Sequence, residues 1–209
     1  RVLFRSDDMV RYEYIKHLGY YCTESSEHNA EYNPFFIKKG YPSLIDRFNI
    51  PLDEYPRRCI RQIAEWEDEW KKIHNQGTVS HERSLEYASH IMEAVATNTV
   101  YKINGNVLNT GLIDNIDSDA CVEVPCLVDG NGVTACKVGR LPSHLAAMNM
   151  TNVNVQLLTV EAALSRKKED IYHAVMLDPH TAAELSIDDI VAMCDEMIEA
   201  HGPMMEMYQ

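Results

Sequence analysis

Basic residues are scarce in this chain: 19 Lys and Arg stand against 32 Asp and Glu over 209 residues, a formal net charge of −13. Nucleic acid and anionic membrane surfaces both need clustered cations, so neither is expected as a partner. The densest cationic group, Arg57, Arg58 and Arg61, runs straight into Glu65, Glu67, Asp68 and Glu69 and reads as a solvated helix face. Also lacking is any apolar run near the roughly 20 residues of a membrane span, and Arg1-Val2-Leu3-Phe4-Arg5 is no signal peptide. The six cysteines (22, 59, 121, 126, 136, 194) contain no CxxC pair and no zinc-like spacing, which predicts free thiols in a reducing cytoplasm and no metal site of their own. Cys121, Cys126 and Cys136 read as small core residues on strands. Repeats and low-complexity tracts are absent. The first residue is not Met and the opening reads as mid-protein, so a fragment is expected.

What is present is a 45% hydrophobic composition able to build a core. Met9, Tyr12, Ile15 and Leu18 recur at helical spacing between Asp7 or Asp8, placed to cap, and Gly19, placed to terminate. Residues 55–75 predict a charged helix with Ile60, Ile63, Trp66, Trp70 and Ile73 on one side, and a second helix runs from Ser80 to about Thr97. The period then changes to three strands, over 99–107, 119–128 and 133–138, the last two joined by the hairpin signal Asp129-Gly130-Asn131-Gly132. Pro125 implies an edge or a bulge. Helices are expected over 142–165, buried on more than one face, over 168–176 and over 186–201, the last capped by Ser186. The fold class is therefore α+β: a small antiparallel sheet of about three strands flanked by helices.

The segment from Gly19 to Phe36 has neither helical nor strand periodicity in its apolar residues, yet concentrates carboxylates, hydroxyls, an imidazole and aromatics. It reads as an ordered loop whose polar side chains converge on a sugar, with Glu24, Ser25, Ser26, Glu27, His28 and Asn29 as the substrate-binding candidates. The plainer alternative is a helix-capping loop, with Thr23, Ser25 or Ser26 as cap and Glu27 or Glu31 as reciprocal partner. For Asn109, Asp114 and Asn115 both a site-lining role and a turn-making role are open. Glu123 alternates with Val122 and Val124 and should face away from them.

With these segments in place, the chain resembles the C-terminal half of the family 4 glycoside hydrolases, in the alpha-galactosidase (melibiase) group. Four blocks carry the resemblance, in order: Tyr20-Tyr21-Cys22-Thr23-Glu24-Ser25-Ser26-Glu27-His28; Asn104-Gly105-Asn106-Val107 with Gly111-Leu112-Ile113-Asp114-Asn115; Ala120-Cys121-Val122-Glu123-Val124-Pro125; and Asn152-Val153-Asn154-Val155-Gln156. The resemblance implies a fold like the C-terminal domain of lactate and malate dehydrogenases. It also implies NAD and Mn2+ as cofactors and a redox route to hydrolysis, an exception among glycosidases. In that route the C3 hydroxyl is oxidised, the C2 proton is removed, the glycosidic oxygen leaves, water adds, and the hydride returns.

The resemblance further implies Asp8 as the base at C2, with Asp7 as second choice; Tyr20 and Tyr21 enter because another branch of the family uses Tyr, core packing being their other reading. Residues 1–209 are then a substrate-binding and oligomerisation domain, inactive alone. The NAD-binding Rossmann domain is absent from this chain, and the cofactor-binding and metal residues lie outside it. The implied partners are a small glycoside and further copies of the chain, in the cytoplasm. An unphosphorylated alpha-galactoside is the expected substrate; alpha-glucosides, alpha-glucuronides and a non-catalytic sugar-binding or oligomerisation remnant are the alternatives.

Overall fold

The computed structural model describes residues 6–76 and 86–209. Helix α1 (Met9–Leu18) ends where Gly19 turns to φ +80° and returns its N–H to the Ile15 carbonyl at 3.0 Å, a left-handed stop open to glycine without strain. Asp8 occupies the N-cap position but its side chain makes no capping bond. Val10 and Tyr14, one turn apart on α1, are buried against Ala30, Phe36, Phe48 and Ile50. Phe36 is the centre of this first core, meeting Tyr14 and Phe48 edge-on at 5.6 and 5.0 Å between ring centres. Each such pair adds about 0.5–1.5 kcal/mol to the burial of its rings. Between Phe35 and Ile50, Ile37, Leu44 and Ile45 pack against this core, whereas Phe35 and Tyr41 stay exposed, at 54% and 63%.

The supposed loop after Gly19 is half helix. α2 spans Ser26–Tyr32, with Ser25 at its N-cap accepting the His28 N–H at 3.2 Å, as the plainer alternative holds for Ser25. Its inward face consists of Ser26, Asn29 and Ala30, followed by Asn33 just past its end: helical spacing in polar or small residues, to which a hydrophobic-period test is blind. Two further short helices, α3 (Ser43–Phe48) and the later α8 (Pro179–Glu184), have no counterpart in the sequence reading. α4 (Glu54–Gln76) and α5 (Ala88–Thr97) follow; the predicted start at Ser80 falls outside the described residues.

Strands β1 (Tyr101–Leu108), β2 (Cys121–Asp129) and β3 (Gly132–Ala135) form one antiparallel sheet in the order β1-β2-β3, with Asn104 opposite Pro125 and Asp129 opposite Gly132. Pro125 therefore lies in the central strand rather than at an edge. In an antiparallel ladder a residue's N–H and C=O point the same way. The Pro125 carbonyl accepts from Cys136 N at 2.8 Å, so its missing N–H also faces β3, which ends at Ala135. The proline sits where one side of the central strand has become an edge. Gly105 is there for space: a Cβ would stand 3.0 Å from the Cys126 sulfur.

One sheet face, with Val122, Val124 and Cys126, closes a second core with Ile113 and Ala120. Along β2 burial alternates, so Glu123 faces outward as expected, and Cys121 does too; of the three strand cysteines only Cys126 is a core residue, Cys136 being half-buried. The β1–β2 connection is knotted around Asn109. Asn115 and Leu141 then exchange two hydrogen bonds, at 2.9 and 3.0 Å, that anchor the start of α6 (Ser143–Ser165). Asp114 pairs with Lys137 at 2.8 Å, while Asn109 and Asn115 bond the backbone of the turn itself.

α6 bears on both cores, Met148 against the first and Val153 against the second. Its burial is shallower than predicted: Ala146 and Ala162 are buried, whereas Val160 and Leu164 are exposed. α7 (Lys168–Met176), α8 (Pro179–Glu184), α9 (Ile187–His201) and a 3-10 turn (Gly202–Met205) complete the described fold, with Ser186 Oγ accepting the Asp189 N–H at 3.2 Å at the start of α9. No helix among the described residues is long and apolar enough to cross a membrane.

Candidate functional site

Two depressions flank the Cys22–Asn29 segment, and the sequence-predicted residues other than His28 divide between them. The first, about 400 Å³, lies between α1, the Tyr20–Glu24 chain and α6. Tyr20, Tyr21, Glu24, Asn29 and Tyr32 face Leu145, Met148, Asn149 and Asn152 across it. His144 fixes the α6 wall by bonding the Leu18 carbonyl at 3.0 Å and packs its ring near Tyr20. Tyr20 and Tyr21 are 52% and 54% exposed, so neither is a core residue; Tyr21 lies under the Arg11 guanidinium, 5.0 Å from its ring centre. Half-exposed phenols beside amides suit the apolar faces and hydroxyls of a sugar ring.

The second depression, about 350 Å³, is lined by Asp7, Asp8, Arg11, Ser25, Ser26, Glu27, Asn49, Glu54 and Arg58. Arg11, one turn along α1 from Asp8, directs two of its nitrogens at a single carboxylate oxygen, Nε lying 2.8 Å from Oδ1. That bond raises the already high pKa of Arg11. Freed from capping, the Asp8 carboxylate is held instead by a fixed cation, with 31% of its side chain exposed. Asp7 is held more loosely, accepting from Asn49 Nδ2 at 3.3 Å. Glu27 is bridged by Arg58 of α4 at 3.5 Å.

Ser26 and Asn29 are turned inward. Ser26 is 6% exposed and its Oγ takes the Arg11 N–H at 3.4 Å; Asn29 is 5% exposed and donates to the Glu24 and Ser25 carbonyls, both at 2.9 Å. Both shape the loop from within. His28 lines neither depression. Its Nδ1 lies 2.9 Å from Glu31 Oε2 and its ring stacks on Tyr32 at 5.7 Å, and the Glu31 hydrogen bond raises its pKa above the ordinary 6.5. Because the folded state holds this proton more tightly, the pair's contribution is complete below about pH 6.5 and is lost as pH rises through the folded value. Glu31→Gln is expected to lower the His28 midpoint, read by NMR titration of the imidazole; an unmoved midpoint would contradict the pairing.

Sequence reading missed Arg58 and the α6 wall. Arg58 was assigned to a solvated face, and nothing local marks its contact with Glu27, 31 positions away. Asn149 and Asn152 stand one turn apart on one face of α6, but Thr151, Asn154 and Gln156 surround them, so the pair does not stand out in the sequence. Among the described residues no group of three or more His, Cys, Asp or Glu could hold a metal ion, and no glycine-rich turn leads from a strand into a helix. The described residues therefore do not fit a divalent metal or NAD by themselves.

Comparison with known proteins places these features. The chain is 56% identical to the alpha-galactosidase of Bacillus subtilis (strain 168) over 97% of its own length and 47% of that protein's. It is 31% identical to the alpha-galactosidase of Rhizobium meliloti (strain 1021) over 99% of its length and 44% of the relative's. The chain thus spans about half the length of these relatives. Two solved structures share its fold: lplD from Bacillus subtilis, with TM-score 0.81 and 20% identity over 93% of this chain and 44% of that one, and a 6-phospho-alpha-glucosidase from gut microorganisms in complex with NAD and Mn2+, with TM-score 0.68 and 21% identity over 94% and 42%. The family 4 glycosyl hydrolase C-terminal domain matches residues 3–181, and the chain belongs to that family.

Proposed function

We propose that this chain is the substrate-binding and oligomerisation domain of an NAD- and divalent-metal-dependent glycosidase acting on unphosphorylated alpha-galactosides, in which Asp8 takes the proton from sugar C2. The observation that carries the reading is Asp8 itself: a helix N-cap carboxylate that caps nothing, opens onto a depression and is held through one oxygen by Arg11. With Oδ1 engaged by the guanidinium, Oδ2 is the oxygen available to accept a proton. A carboxylate is a weak base towards carbon, so position and exclusion of water must make up the difference. Asp7 stands beside it as second choice.

The sugar is held by the surfaces flanking Cys22–Asn29, with Glu24, Ser25 and Glu27 offering acceptors to hydroxyls and Ser26, His28 and Asn29 setting the shape. The galactoside preference is supported by the 56% and 31% identities to alpha-galactosidases. Both arginines of the Asp8 depression are engaged by carboxylates, which favours a sugar without phosphate. In this reading NAD and the metal are held by the part of the protein that corresponds to the unmatched half of the relatives, and this chain supplies the sugar-facing wall.

The test joins this chain to the unmatched part of the Bacillus subtilis alpha-galactosidase and assays an aryl alpha-galactoside. Turnover is expected to require NAD, Mn2+ and reductant, and product formed in heavy water to carry deuterium at C2. Hydrolysis indifferent to NAD, or product without deuterium at C2, sinks the redox reading; sugar binding without turnover favours the non-catalytic remnant.

A further inference from the structure

The two depressions share no lining residue, yet they meet. Glu24 lines one and its neighbour Ser25 the other, so the Glu24–Ser25 peptide is a common wall, tied by the Ser25 N–H to Glu24 Oε1 at 2.7 Å. A single guanidinium bridges them: Arg11 Nε is 2.8 Å from Asp8 Oδ1, and Arg11 Cζ is 5.0 Å from the Tyr21 ring centre. At about 350 and 400 Å³ both stand at the small end of small-molecule sites, with room for one sugar ring each. The aromatic depression also holds polar groups that the fold does not use. Asn29, Asn109 and Asn115 commit their amides to backbone carbonyls. Asn149 makes no side-chain hydrogen bond to a described residue, and Asn152 makes one, of 3.4 Å, to Thr151. Both amides stand on α6 across from the half-exposed rings of Tyr20 and Tyr21.

We propose that the aromatic depression holds the leaving group of the glycoside and that this leaving group is a second sugar. The galactosyl ring lies in the Asp8 depression, the sugar joined to it stacks on Tyr21, and Asn149 and Asn152 bond its hydroxyls and set a preference for oligosaccharides. The inference rests on the reading of Asp8 as the base at C2. The leaving oxygen is carried by C1, the ring neighbour of C2, so it departs into the space beside the Asp8 depression. Tyr21, which shares Arg11 with Asp8, puts the aromatic depression in that space. The lining then selects the chemistry. An alkyl or aryl leaving group would cover the phenol rings but leave the two amides unpaired, whereas a pyranose offers an apolar face to the rings and hydroxyl pairs to the amides.

The test uses the joined enzyme with two substrates, an alpha-galactosyl-glucose disaccharide and an aryl alpha-galactoside. Asn149→Ala/Asn152→Ala keeps α6 intact, since alanine is the better helix former. It should lower kcat/KM for the disaccharide by about tenfold more than for the aryl galactoside, the worth of two hydrogen bonds to hydroxyls. Asn152→Trp, which fills the depression from the same wall, should shift the ratio in the same direction. Binding is read apart from turnover in the joined enzyme carrying Asp8→Asn. There the disaccharide should bind about tenfold more tightly than methyl alpha-galactoside, and Asn149→Ala/Asn152→Ala should erase the difference. Equal losses on the two substrates, or a disaccharide that binds no better than the methyl glycoside, overturn the subsite, leave the galactosidase reading standing and give the leaving group to the unmatched half. A parent without turnover whose Asp8→Asn form keeps the binding advantage overturns the redox reading and supports the subsite.

Discussion

Asp8→Asn is expected to lower aryl alpha-galactoside turnover in the joined enzyme by about 10²- to 10⁴-fold, the range for loss of a positioned base, with KM within about threefold of the parent. The amide keeps an oxygen for the Arg11 Nε bond, 2.8 Å in the parent, but has no basicity towards carbon. Since the Asp8 side chain makes no capping bond, the substitution removes little from the fold, and thermal stability should barely move. Deuterium uptake at C2 should fall in step with turnover. Asp7→Asn discriminates: its carboxylate is tied to Asn49 at 3.3 Å and should cost less than tenfold if Asp8 is the base. If the larger loss follows Asp7, the roles exchange; if neither substitution slows the reaction, the base lies elsewhere.

The largest effect on stability is expected at Asn109. This side chain, 2% exposed, donates to the carbonyls of Ile113, Ile116 and Asp117 at 2.9–3.0 Å and accepts from the N–H groups of Leu112 and Ile113 at 3.1 and 2.8 Å. Asn109→Ala leaves those backbone groups without partners in a buried turn, with a loss of about 3–5 kcal/mol. For a chain of this size the unfolding midpoint should fall by roughly 10 °C. Asn109→Asp should be worse still above the carboxyl's titration range, because the carboxylate would turn an acceptor towards three carbonyl oxygens. Calorimetry on the three proteins decides it; an Ala variant within about 1 kcal/mol of the parent would mean that water replaces the amide without loss.

What the sequence made legible follows a physical division. Most elements whose inward residues are apolar, or whose ends carry strong caps, were read to within about two residues: Lys168–Met176 is as predicted and the hairpin turns at Asp129–Gly132, whereas β3 stops at Ala135, three residues short of its expected end. α2 escaped because its buried face is Ser26, Asn29 and Ala30, held by hydrogen bonds rather than by the hydrophobic effect. α4 was found as a helix, but amphipathicity shows only that a face wants a partner, and the Ile60–Ile73 face meets none in the described residues. The candidate site was half legible. The segment and Asp8 could be named, whereas the separation into two depressions depends on Arg58 and α6 arriving from distant parts of the chain.

The two hydrophobic cores share one long helix, and this has a mechanical meaning. Met148 and Val153, five positions apart on α6, are the points at which it enters the first and the second core. With about 7.5 Å of continuous helix between them, the residues that touch the two cores and the wall of Leu145, Asn149 and Asn152 belong to one rigid rod, so the placement of that wall is fixed by contacts to both cores rather than by the aromatic depression alone.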